Sequence, residues 1–302
     1  MNIFSDLKTN TVYYSRFFQL RFPQIFETAR VNLEANGNKV KLIGGNMNLW
    51  IRDWAPIQVD DHFVRFGYKR YSNDGIESGY EDYPWLQVPD KCFDAFKPLV
   101  ESEIVLDGGG IIRSEKHAVI TEKVFIDNPN RDKQELLNEL RKILGVPVLI
   151  IPVEPGDWLG HADGICKFIN HEEILVNDYS VFVKKDPEYK KFNQQLMTAF
   201  QSAGLKVRLM PYIYDQCKHT DDEFFHQTHP FADDNNPGYG YYINFTLTKN
   251  TIIAPVFGVP ADFAAIQTLK ECYPKHSIIA VDCAELSYEG GLTNCTSANT
   301  IE

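Results

Sequence analysis

The amino-acid sequence predicts an α/β fold in which one small structural unit is repeated around a common axis. Short apolar runs rich in β-branched residues alternate with amphipathic helical stretches along all 302 residues, and the order strand, strand, helix, strand recurs. Polar residues beside glycine turns are evenly spaced, because 54 residues separate Asp53 from Asp107 and another 54 separate Asp107 from His161. About five units of roughly 60 residues would fill the chain, so we predict one domain over residues 1–302 rather than the two that length alone suggests.

The predicted strands are short runs of apolar and β-branched residues that end at turn-forming residues. They lie within the usual length range of strands in globular proteins. In chain order they occupy residues 39–43, 62–66, 103–106, 118–120, 124–127, 148–152, 165–169, 174–177, 206–209, 241–247, 251–255 and 277–281.

Residues that begin or end helices predict four of them. Asn and Asp cap helix N-termini, proline fits the first turn, and glycine commonly follows the last turn. On these signals a helix begins at Asn130 and ends at Leu144, before Gly145. The other three occupy residues 23–35, 187–204 and 260–272.

The least regular stretch of the sequence is residues 212–239, which we predict to be a long active-site or surface loop. It contains an HxxH pair, His226 and His229, followed by Asp233 and Asp234, so a metal-binding protein or metal-dependent hydrolase is an alternative. Neighbouring phenylalanines and prolines make this stretch a poor helix, and no HExxH signature is present. A solvated or substrate-covering loop is therefore the favoured interpretation.

Composition argues against several classes of protein. The 30 Lys and Arg residues face 41 Asp and Glu, a net charge of −11, which disfavours a protein that coats nucleic acid or an anionic membrane. The six cysteines form no CxxC pair and are interpreted as reduced thiols. The sequence shows no export signal, and no apolar run approaches the roughly 18 residues of a membrane span. We therefore expect a cytoplasmic protein whose partners include neither nucleic acid nor a membrane.

Four segments carry polar residues that could perform chemistry. Each also has an ordinary structural interpretation: a turn-forming acid, a hydrogen-bonded His–Asp pair, a structural ion pair or an inert cysteine. The segments are residues 50–56, 105–110, 155–164 and 289–296.

Taken together, these segments fit a reaction on a guanidinium group. A planar cation needs two carboxylates, which Asp53 and Asp163 can supply, and a thiolate of Cys295 could attack the electron-poor central carbon. His161 could protonate the departing amine and then activate water, with Asp107 holding the imidazole in its charged form. The set therefore predicts a hydrolase with a nucleophilic cysteine.

Three tryptophans flank the predicted site in the sequence. Trp50, Trp54 and Trp158 could wall it against water and contact a guanidinium through their ring faces. Each could equally be a core residue, and the sequence leaves these two interpretations open.

At this point the sequence resembles the guanidine-modifying (pentein) superfamily, most closely its agmatine deiminase and bacterial peptidylarginine deiminase branch. The segments that carry the resemblance are IRDWAP at 51–56, LDGGG at 106–110, VFIDNPN at 124–130, GHAD at 160–163 and GGLTNC at 290–295. The resemblance implies the pentein fold, a five-bladed pseudosymmetric α/β propeller of ββαβ units. It implies no metal and no organic cofactor.

The same resemblance implies roles for individual residues. Asp53 and Asp163 look like the acids that bind the guanidinium, and Asp107 and His161 look like the acid/base pair. Cys295 looks like the nucleophile that forms a covalent thiouronium intermediate.

The chain departs from the usual agmatine deiminase motifs at four positions. Those enzymes usually read RDxGP, EGGN and GGxxHC, where this chain has Ala55, Asp107, Gly110 and Asn294. An aspartate in place of glutamate shortens the reach of the acid to His161 by one methylene group. The chemistry of the superfamily is thus better supported than the identity of the substrate.

The leading hypothesis is a deiminase that converts the guanidine group of an arginine-related substrate, most simply an agmatine-like one, to a ureido group and ammonia. Three alternatives stay open: an amidinotransferase, in which an amine intercepts the thiouronium, a peptidylarginine deiminase, and a non-catalytic binding protein of the pentein fold. The predicted partner is a cationic guanidine small molecule, and a homodimer is left open.

Overall fold

The strands group into small sheets of one design. The computed structural model describes residues 3–68, 88–213 and 238–302. Its strands are β1 (Thr11–Ser15), β2 (Lys39–Ile43), β3 (Ile57–Val59), β4 (His62–Gly67), β5 (Leu99–Val105), β6 (Ile111–Arg113), β7 (Ala118–Thr121), β8 (Val148–Ile151), β9 (Cys166–Phe168), β10 (Glu173–Asn177), β11 (Lys206–Met210), β12 (Thr246–Leu247), β13 (Thr251–Val256), β14 (Ser277–Asp282) and β15 (Ser297–Thr300).

Each sheet in the described part of the chain has three strands. The central strand pairs antiparallel with one neighbour and parallel with the other. The strand orders are β15-β1-β2, β3-β4-β5, β6-β7-β8, β9-β10-β11 and β12-β13-β14.

In four of the five sheets α-helices of the described residues connect the parallel strands, as is usual for such crossovers, and the link between β4 and β5 includes residues outside the described ranges. The helices of the described residues are α1 (Arg16–Arg21), α2 (Pro23–Ala35), α3 (Ile51–Trp54), α4 (Lys123–Asp127), α5 (Lys133–Leu144), α6 (Ser180–Lys185), α7 (Pro187–Ser202) and α8 (Ala261–Cys272). Between β1 and β2 lie α1 and α2, between β7 and β8 lie α4 and α5, between β10 and β11 lie α6 and α7, and between β13 and β14 lies α8.

The predicted ββαβ unit is therefore confirmed. Five sheets of the same design are what a five-bladed propeller requires, and their arrangement around one axis stays a prediction. So does the prediction of a single domain over residues 1–302.

The first sheet joins the two ends of the described sequence. Strand β15 pairs antiparallel with β1, with Thr11 opposite Thr300 and Tyr14 opposite Ser297. The unit that begins at β1 thus obtains its antiparallel strand from the far end of the chain. This pairing also fixes the position of Cys295, which lies two residues before β15.

The four longer helices, α2, α5, α7 and α8, each bury apolar residues of one face. In α5 the fully buried residues are Leu136, Leu140 and Leu144, spaced four apart as one face of a helix requires. The inner strands β1, β6, β7, β9 and β15 are buried at every position, whereas β2, β5 and β11 expose several residues. The polar residues of the inner strands therefore lie away from solvent.

The prediction of a strand over residues 124–127 is wrong, because this segment forms the helix α4. Along a strand Val124 and Ile126 would share a face, but Val124 is buried and Ile126 is 64% exposed. Asn128 explains the turn: its Nδ2 donates to the carbonyls of Val124 and Val105, and its Oδ1 accepts from the Val105 amide. The side chain ends the helix and fixes it to β5.

Other element boundaries shift by a few residues. Helix α2 has the predicted bounds, whereas α5 begins after Asp132, whose Oδ1 accepts from the amides of Gln134 and Glu135. Of the predicted strand 241–247, the paired part is Thr246–Leu247 and the preceding residues form a turn. The sequence did not predict β1, β3, β6 and β15, which are short or rich in polar residues.

Within the described ranges, no helix is long and apolar enough to cross a membrane. The five cysteines of those ranges are free thiols, and Cys217 lies outside them. Residues 214–237 also lie outside the described ranges, with most of the loop predicted at 212–239 and with His226, His229, Asp233 and Asp234.

Candidate active site

The turn before β15 presents the Cys295 side chain. The Cys295 amide donates to Asn244 Oδ1 at 3.3 Å, and its carbonyl accepts from the Arg52 amide at 3.1 Å. Cys295 is partly exposed, whereas its sequence neighbours Asn294 and Thr296 are both buried. A Cβ atom at Gly291 would lie 2.6 Å from the Trp50 ring and 3.1 Å from Cys295 Cβ. Glycine in this turn therefore allows the ring and the cysteine to lie side by side.

The Asp163 carboxylate lies next to the thiol. The Cys295 Sγ is 3.7 Å from Asp163 Oδ2, and the Asn294 Nδ2 donates to the same oxygen at 2.7 Å. Asp163 belongs to the short 3-10 turn Ala162–Gly164 and is only 2% exposed. One strong donor thus holds a buried carboxylate within contact distance of a sulfur atom.

His161 lies between two further carboxylates. Its Nε2 is 3.0 Å from Asp107 Oδ2, and its Nδ1 is 3.7 Å from Asp53 Oδ1. The His161 amide donates to Asp157 Oδ2 at 3.2 Å, which fixes the backbone that carries the imidazole. The structure therefore brings together Asp53, Asp107 and His161, which are far apart in the sequence.

The glycine turn Gly108–Gly110 makes this approach sterically feasible. A Cβ atom on Gly108 would lie 1.9 Å from the Arg52 carbonyl oxygen. A Cβ atom on Gly109 would lie 2.7 Å from Asp53 Oδ1 and 2.8 Å from His161 Nδ1. Only residues without a side chain let the chain after Asp107 pass so close to both groups.

The three carboxylates determine the charge of the imidazole. Burial opposes the charged form of His161, but Asp53, Asp107 and Asp163 outweigh it and raise its pKa to about 10. Burial, together with the neighbouring carboxylates Asp107 and Asp163, also raises the pKa of Asp53 to about 7, although His161 opposes this shift. At neutral pH the imidazole is therefore protonated and ready to donate a proton.

The Cys295 thiol is neutral in this environment. Burial raises its pKa well above the usual value, and the negative charges of Asp163 and Asp53 raise it further. A cation bound between these groups would reverse the effect of the carboxylates. The site thus favours the thiolate when it is occupied by a positively charged ligand.

Two buried cations, Lys167 and Arg52, bond to Asn294 next to Cys295, and the sequence did not predict their role. Lys167 is 1% exposed, and its Nζ donates to Asn294 Oδ1 at 2.6 Å. Arg52 donates from Nη2 to the same oxygen at 3.3 Å and from Nε to the Asn294 carbonyl at 3.3 Å. A lysine inside the otherwise apolar run 165–169 was the signal that could have revealed the first of them.

Two oxygen acceptors near the site were also missed. Asp157 holds the His161 backbone, and Asn244 holds the Cys295 backbone. Both stand in turns that look unremarkable in the sequence. Their function depends on contacts that only the folded chain creates.

The three predicted tryptophans lie in different surroundings. Trp50 contacts the turn that carries Cys295, as the Gly291 geometry shows. Trp54 is 3% exposed and meets the Phe93 ring edge-on at 5.9 Å, so it is part of an apolar core cluster. Trp158 is 38% exposed. Roles in substrate binding stay predictions for all three.

Among residues 3–68, 88–213 and 238–302, no group of three or more His, Cys, Asp or Glu side chains is arranged to hold a metal ion. The alternative metal site predicted from the HxxH pair lies outside these ranges.

Comparison with known proteins gives two consistent results. The family model of the Porphyromonas-type peptidyl-arginine deiminases matches residues 22–300. The chain is 26% identical to an agmatine deiminase from Pseudomonas aeruginosa over 305 residues, covering 89% of this chain and 78% of that protein. It is 24% identical to a putative agmatine deiminase from Lactococcus lactis, again over 89% of this chain and 78% of that protein.

Solved structures agree on the fold. The agmatine deiminase of Enterococcus faecalis matches with a TM-score of 0.75 at 16% identity, covering 99% of this chain and 95% of that chain. A dimethylarginine dimethylaminohydrolase from Pseudomonas aeruginosa matches with a TM-score of 0.55 at 12% identity, covering 97% and 100%. The prediction of the pentein fold is thereby confirmed. Since the family model spans nearly the whole sequence, the chain belongs to the Porphyromonas-type peptidyl-arginine deiminase family.

Proposed function

We propose that the protein is a guanidine deiminase, a hydrolase that converts the guanidine group of a small cationic substrate to a ureido group and releases ammonia. The observation that carries the proposal is the contact of Cys295 Sγ with Asp163 Oδ2 at 3.7 Å, beside an imidazole 3.0 Å from Asp107. A thiol, a carboxylate and an imidazole thereby lie together in a partly buried site, which supports the roles of nucleophile, cation-binding acid and proton donor. The family match supports the same activity.

Binding begins with the carboxylates. Asp163 and Asp53 accept hydrogen bonds from the planar guanidinium, which places its central carbon next to Cys295. The positive charge offsets the two negative charges that keep the thiol protonated, so the thiol loses its proton to solvent as substrate binds. The substrate thus activates its own nucleophile.

The first half of the reaction forms a thiouronium. The Cys295 thiolate attacks the central carbon and creates a C–S bond, and one C–N bond then breaks. The protonated His161 delivers its proton to the departing nitrogen, which leaves as ammonia. Because its pKa is raised to about 10, this imidazole carries the necessary proton at neutral pH.

The second half consumes water. His161, now neutral, accepts a proton from a water molecule that attacks the thiouronium carbon. The C–S bond then breaks and Cys295 leaves as a thiolate, while the added hydroxyl group gives its proton to solvent as the ureido carbonyl forms. Asp107 stabilises the imidazolium in both halves through its contact with Nε2.

The decisive experiment is a substrate panel with wild-type protein and Cys295→Ala. Agmatine, free arginine and arginyl peptides are each assayed for ureido and ammonia formation. We expect wild-type turnover, and a loss of at least about 10⁴-fold in Cys295→Ala with unchanged circular dichroism, because a covalent step is removed. Cys272→Ala is the matched control, since this cysteine is also only partly buried. Unchanged ammonia release from Cys295→Ala would refute the proposal.

The panel also separates the proposed substrates. The curated relatives are called agmatine deiminases and the family model is called a peptidyl-arginine deiminase. We favour a free, agmatine-like guanidine because the relatives that match over most of both chains are agmatine deiminases, and turnover of peptides alone would contradict this preference.

Two assays address the remaining alternatives. Addition of glycine or ornithine to the reaction would yield a new guanidino product if the enzyme were an amidinotransferase. Covalent labelling of Cys295 by a haloacetamidine would be absent in a non-catalytic binding protein.

The free thiols of the described residues favour action in the reducing cytoplasm. Fractionation of cells that express the tagged protein would check this location. Sedimentation of the purified protein would test for the homodimer that the sequence leaves open.

A further inference from the structure

The Asn294 side chain separates two buried cations from the Asp163 carboxylate. Its Oδ1 accepts from Lys167 Nζ at 2.6 Å and from Arg52 Nη2 at 3.3 Å, and its Nδ2 donates to Asp163 Oδ2 at 2.7 Å. The amide is 1% exposed, and its two ends face opposite charges. A flipped amide would point N–H groups at the cations and its oxygen at a carboxylate, so the orientation is fixed by electrostatics.

The surroundings make this arrangement rigid. Lys167 is 1% exposed and also lies 4.0 Å from Asp6, so its ammonium group is held from two sides. The Asn294 carbonyl accepts from Arg52 Nε and from Ser297 Oγ, which fixes the backbone that carries the amide. The side chain between the charges therefore has little freedom to move.

The Asn294 amide prevents a direct ion pair between Lys167 and Asp163. An ammonium group in contact with Asp163 would neutralise it and compete with the guanidinium of the substrate. The intervening amide is polarised by both cations, which strengthens the hydrogen bond that it donates. Asp163 is thereby oriented by positive charge while it keeps its own negative charge for the ligand.

We propose that Asn294 is a positioning residue that transmits the charge of Lys167 and Arg52 to Asp163 through its amide, and so keeps this carboxylate beside Cys295 and available to a cation. The inference rests on the proposed function, since it names the residues that prepare the guanidinium-binding acid. It also explains how the chain works with asparagine at a position where agmatine deiminases usually carry histidine.

The test compares two alkylating reagents that differ in charge. Chloroacetamidine is a planar cation that can bind Asp163, and chloroacetamide is its neutral analogue. In both reactions the Cys295 sulfur bonds to the methylene carbon and chloride leaves. The ratio of the two labelling rates, followed by intact mass, reports how well Asp163 binds a cation and does not depend on turnover.

For Asn294→Ala we expect the rate ratio to fall about 10- to 100-fold, the effect of losing a hydrogen bond to a charged group. Lys167→Met, which keeps the buried volume, should lower the ratio in the same direction. In turnover the KM of Asn294→Ala should rise more than kcat falls. Asn38→Ala is the control, because Asn38 is also a buried amide but bonds to Leu33, Asn250 and Thr251.

Asn294→His is the second variant, and it keeps the inference testable if Asn294→Ala does not fold. A neutral imidazole can accept from Lys167 and donate to Asp163, so at pH 8 the ratio should stay within about threefold of wild type. Below about pH 6.5 the imidazole gains a proton and can no longer accept from Lys167 or Arg52, so the ratio should fall. The charged groups that face this position are Arg52, Lys167 and Asp163, and the neutral Cys295 thiol lies beside Asp163. Burial lowers the pKa of Lys167 to about 8, so each variant is compared with wild type at the same pH.

A wild-type ratio in folded Asn294→Ala would overturn the inference, as would an Asn294→His variant that behaves like the alanine variant at pH 8. Failure of the proposed function gives a different result. In that case wild-type protein itself would show neither ureido formation nor preference for the amidine.

Discussion

Among single residues, Glu154 is a buried carboxyl group in the segment that leads to His161. It is 3% exposed, and its oxygens accept hydrogen bonds from the hydroxyls of Tyr179 at 2.8 Å, Tyr212 at 3.1 Å and Tyr189 at 3.3 Å. Burial raises its pKa to about 8, and nearby Asp157 adds to this shift while the tyrosine hydroxyls oppose it. At neutral pH the folded protein therefore holds Glu154 largely uncharged.

This raised pKa predicts that the protein loses stability as the pH rises. Below about pH 4.5 both folded and unfolded states are protonated, and between there and about pH 8 only the folded state keeps the proton. Glu154→Gln keeps the shape and cannot ionise, so it should be more stable than wild type at pH 8, on the order of a few kcal/mol, and equal at pH 4.5.

Urea unfolding at the two pH values measures this difference. Glu101→Gln, at an exposed glutamate, should change the free energy of unfolding by less than about 0.5 kcal/mol at both. A Glu154→Gln variant with the same pH dependence as wild type would contradict the prediction.

Single residues also show which parts of the candidate site could be predicted from the sequence. The set Asp53, Asp107, His161, Asp163 and Cys295 was assembled from motifs, and the folded chain brings these residues together. Lys167, in contrast, is a single lysine in the apolar run 165–169, and this local signal does not reveal its partners. Its bond to Asn294 joins residues 127 positions apart and depends on the folded chain.

At the scale of secondary-structure elements, the glycine turn Gly108–Gly110 limits what the site can tolerate. A methyl group on Gly109 would displace Asp53 Oδ1 or His161 Nδ1, because it would lie under 3 Å from both. Gly109→Ala should therefore lower kcat/KM by about 10²-fold, the usual effect of misplacing a catalytic group by about 1 Å.

Gly44→Ala is the matched variant for this turn. Its new Cβ atom would meet the Arg16 side chain at 3.6 Å, an ordinary contact, so activity should be unchanged. Steady-state kinetics of both variants, with circular dichroism to verify folding, decides the matter. Full activity in Gly109→Ala would show that the observed approach of turn and imidazole is not required.

Elements differ in how well the sequence predicts them. Helix α2 was predicted with its bounds, because a first-turn proline and a following glycine mark both ends. Residues 124–127 were mistaken for a strand, because a run of apolar residues this short has no clear period and its helical turn depends on Asn128. Strand β15, Ser-Ala-Asn-Thr, is buried by its neighbours and not by its own hydrophobicity.

At the scale of the whole molecule, buried charges connect several sheets. Arg113 in β6 donates to Asp6 Oδ1 and to the Asn299 carbonyl in β15, both at 2.9 Å. Lys167 in β9 lies 4.0 Å from the other oxygen of Asp6. Burial opposes the charge of Asp6, but Arg113, Lys167 and Arg52 outweigh it and lower its pKa. One aspartate thus compensates cations from three separate elements.

Asp6→Asn should therefore destabilise the protein by about 3–5 kcal/mol at pH 7, since it leaves buried cations without their counter-charge. The exposed Asp94, 3.7 Å from Lys97, supplies the control, and Asp94→Asn should cost about 0–1 kcal/mol. Since the pKa of Asp6 is lowered on folding, its contribution is present above about pH 4 and is lost as the pH falls further. Urea unfolding should therefore show a larger difference in midpoint between wild type and Asp6→Asn at pH 7 than at pH 3. Equal midpoints of the two proteins at pH 7 would contradict the prediction.

The pairing of β15 with β1 has a consequence for the nascent chain. Asn10 bonds to Glu302, a contact that spans 292 residues, so β1 lacks one neighbour until residues 297–300 have been synthesised. Cys295 and Asn294 arrive with that same last segment. Until it docks, the carboxylates and cations at the centre have neither the thiol nor the amide that separates them. We therefore expect no deiminase activity before β15 pairs with β1, because the same segment carries the proposed nucleophile.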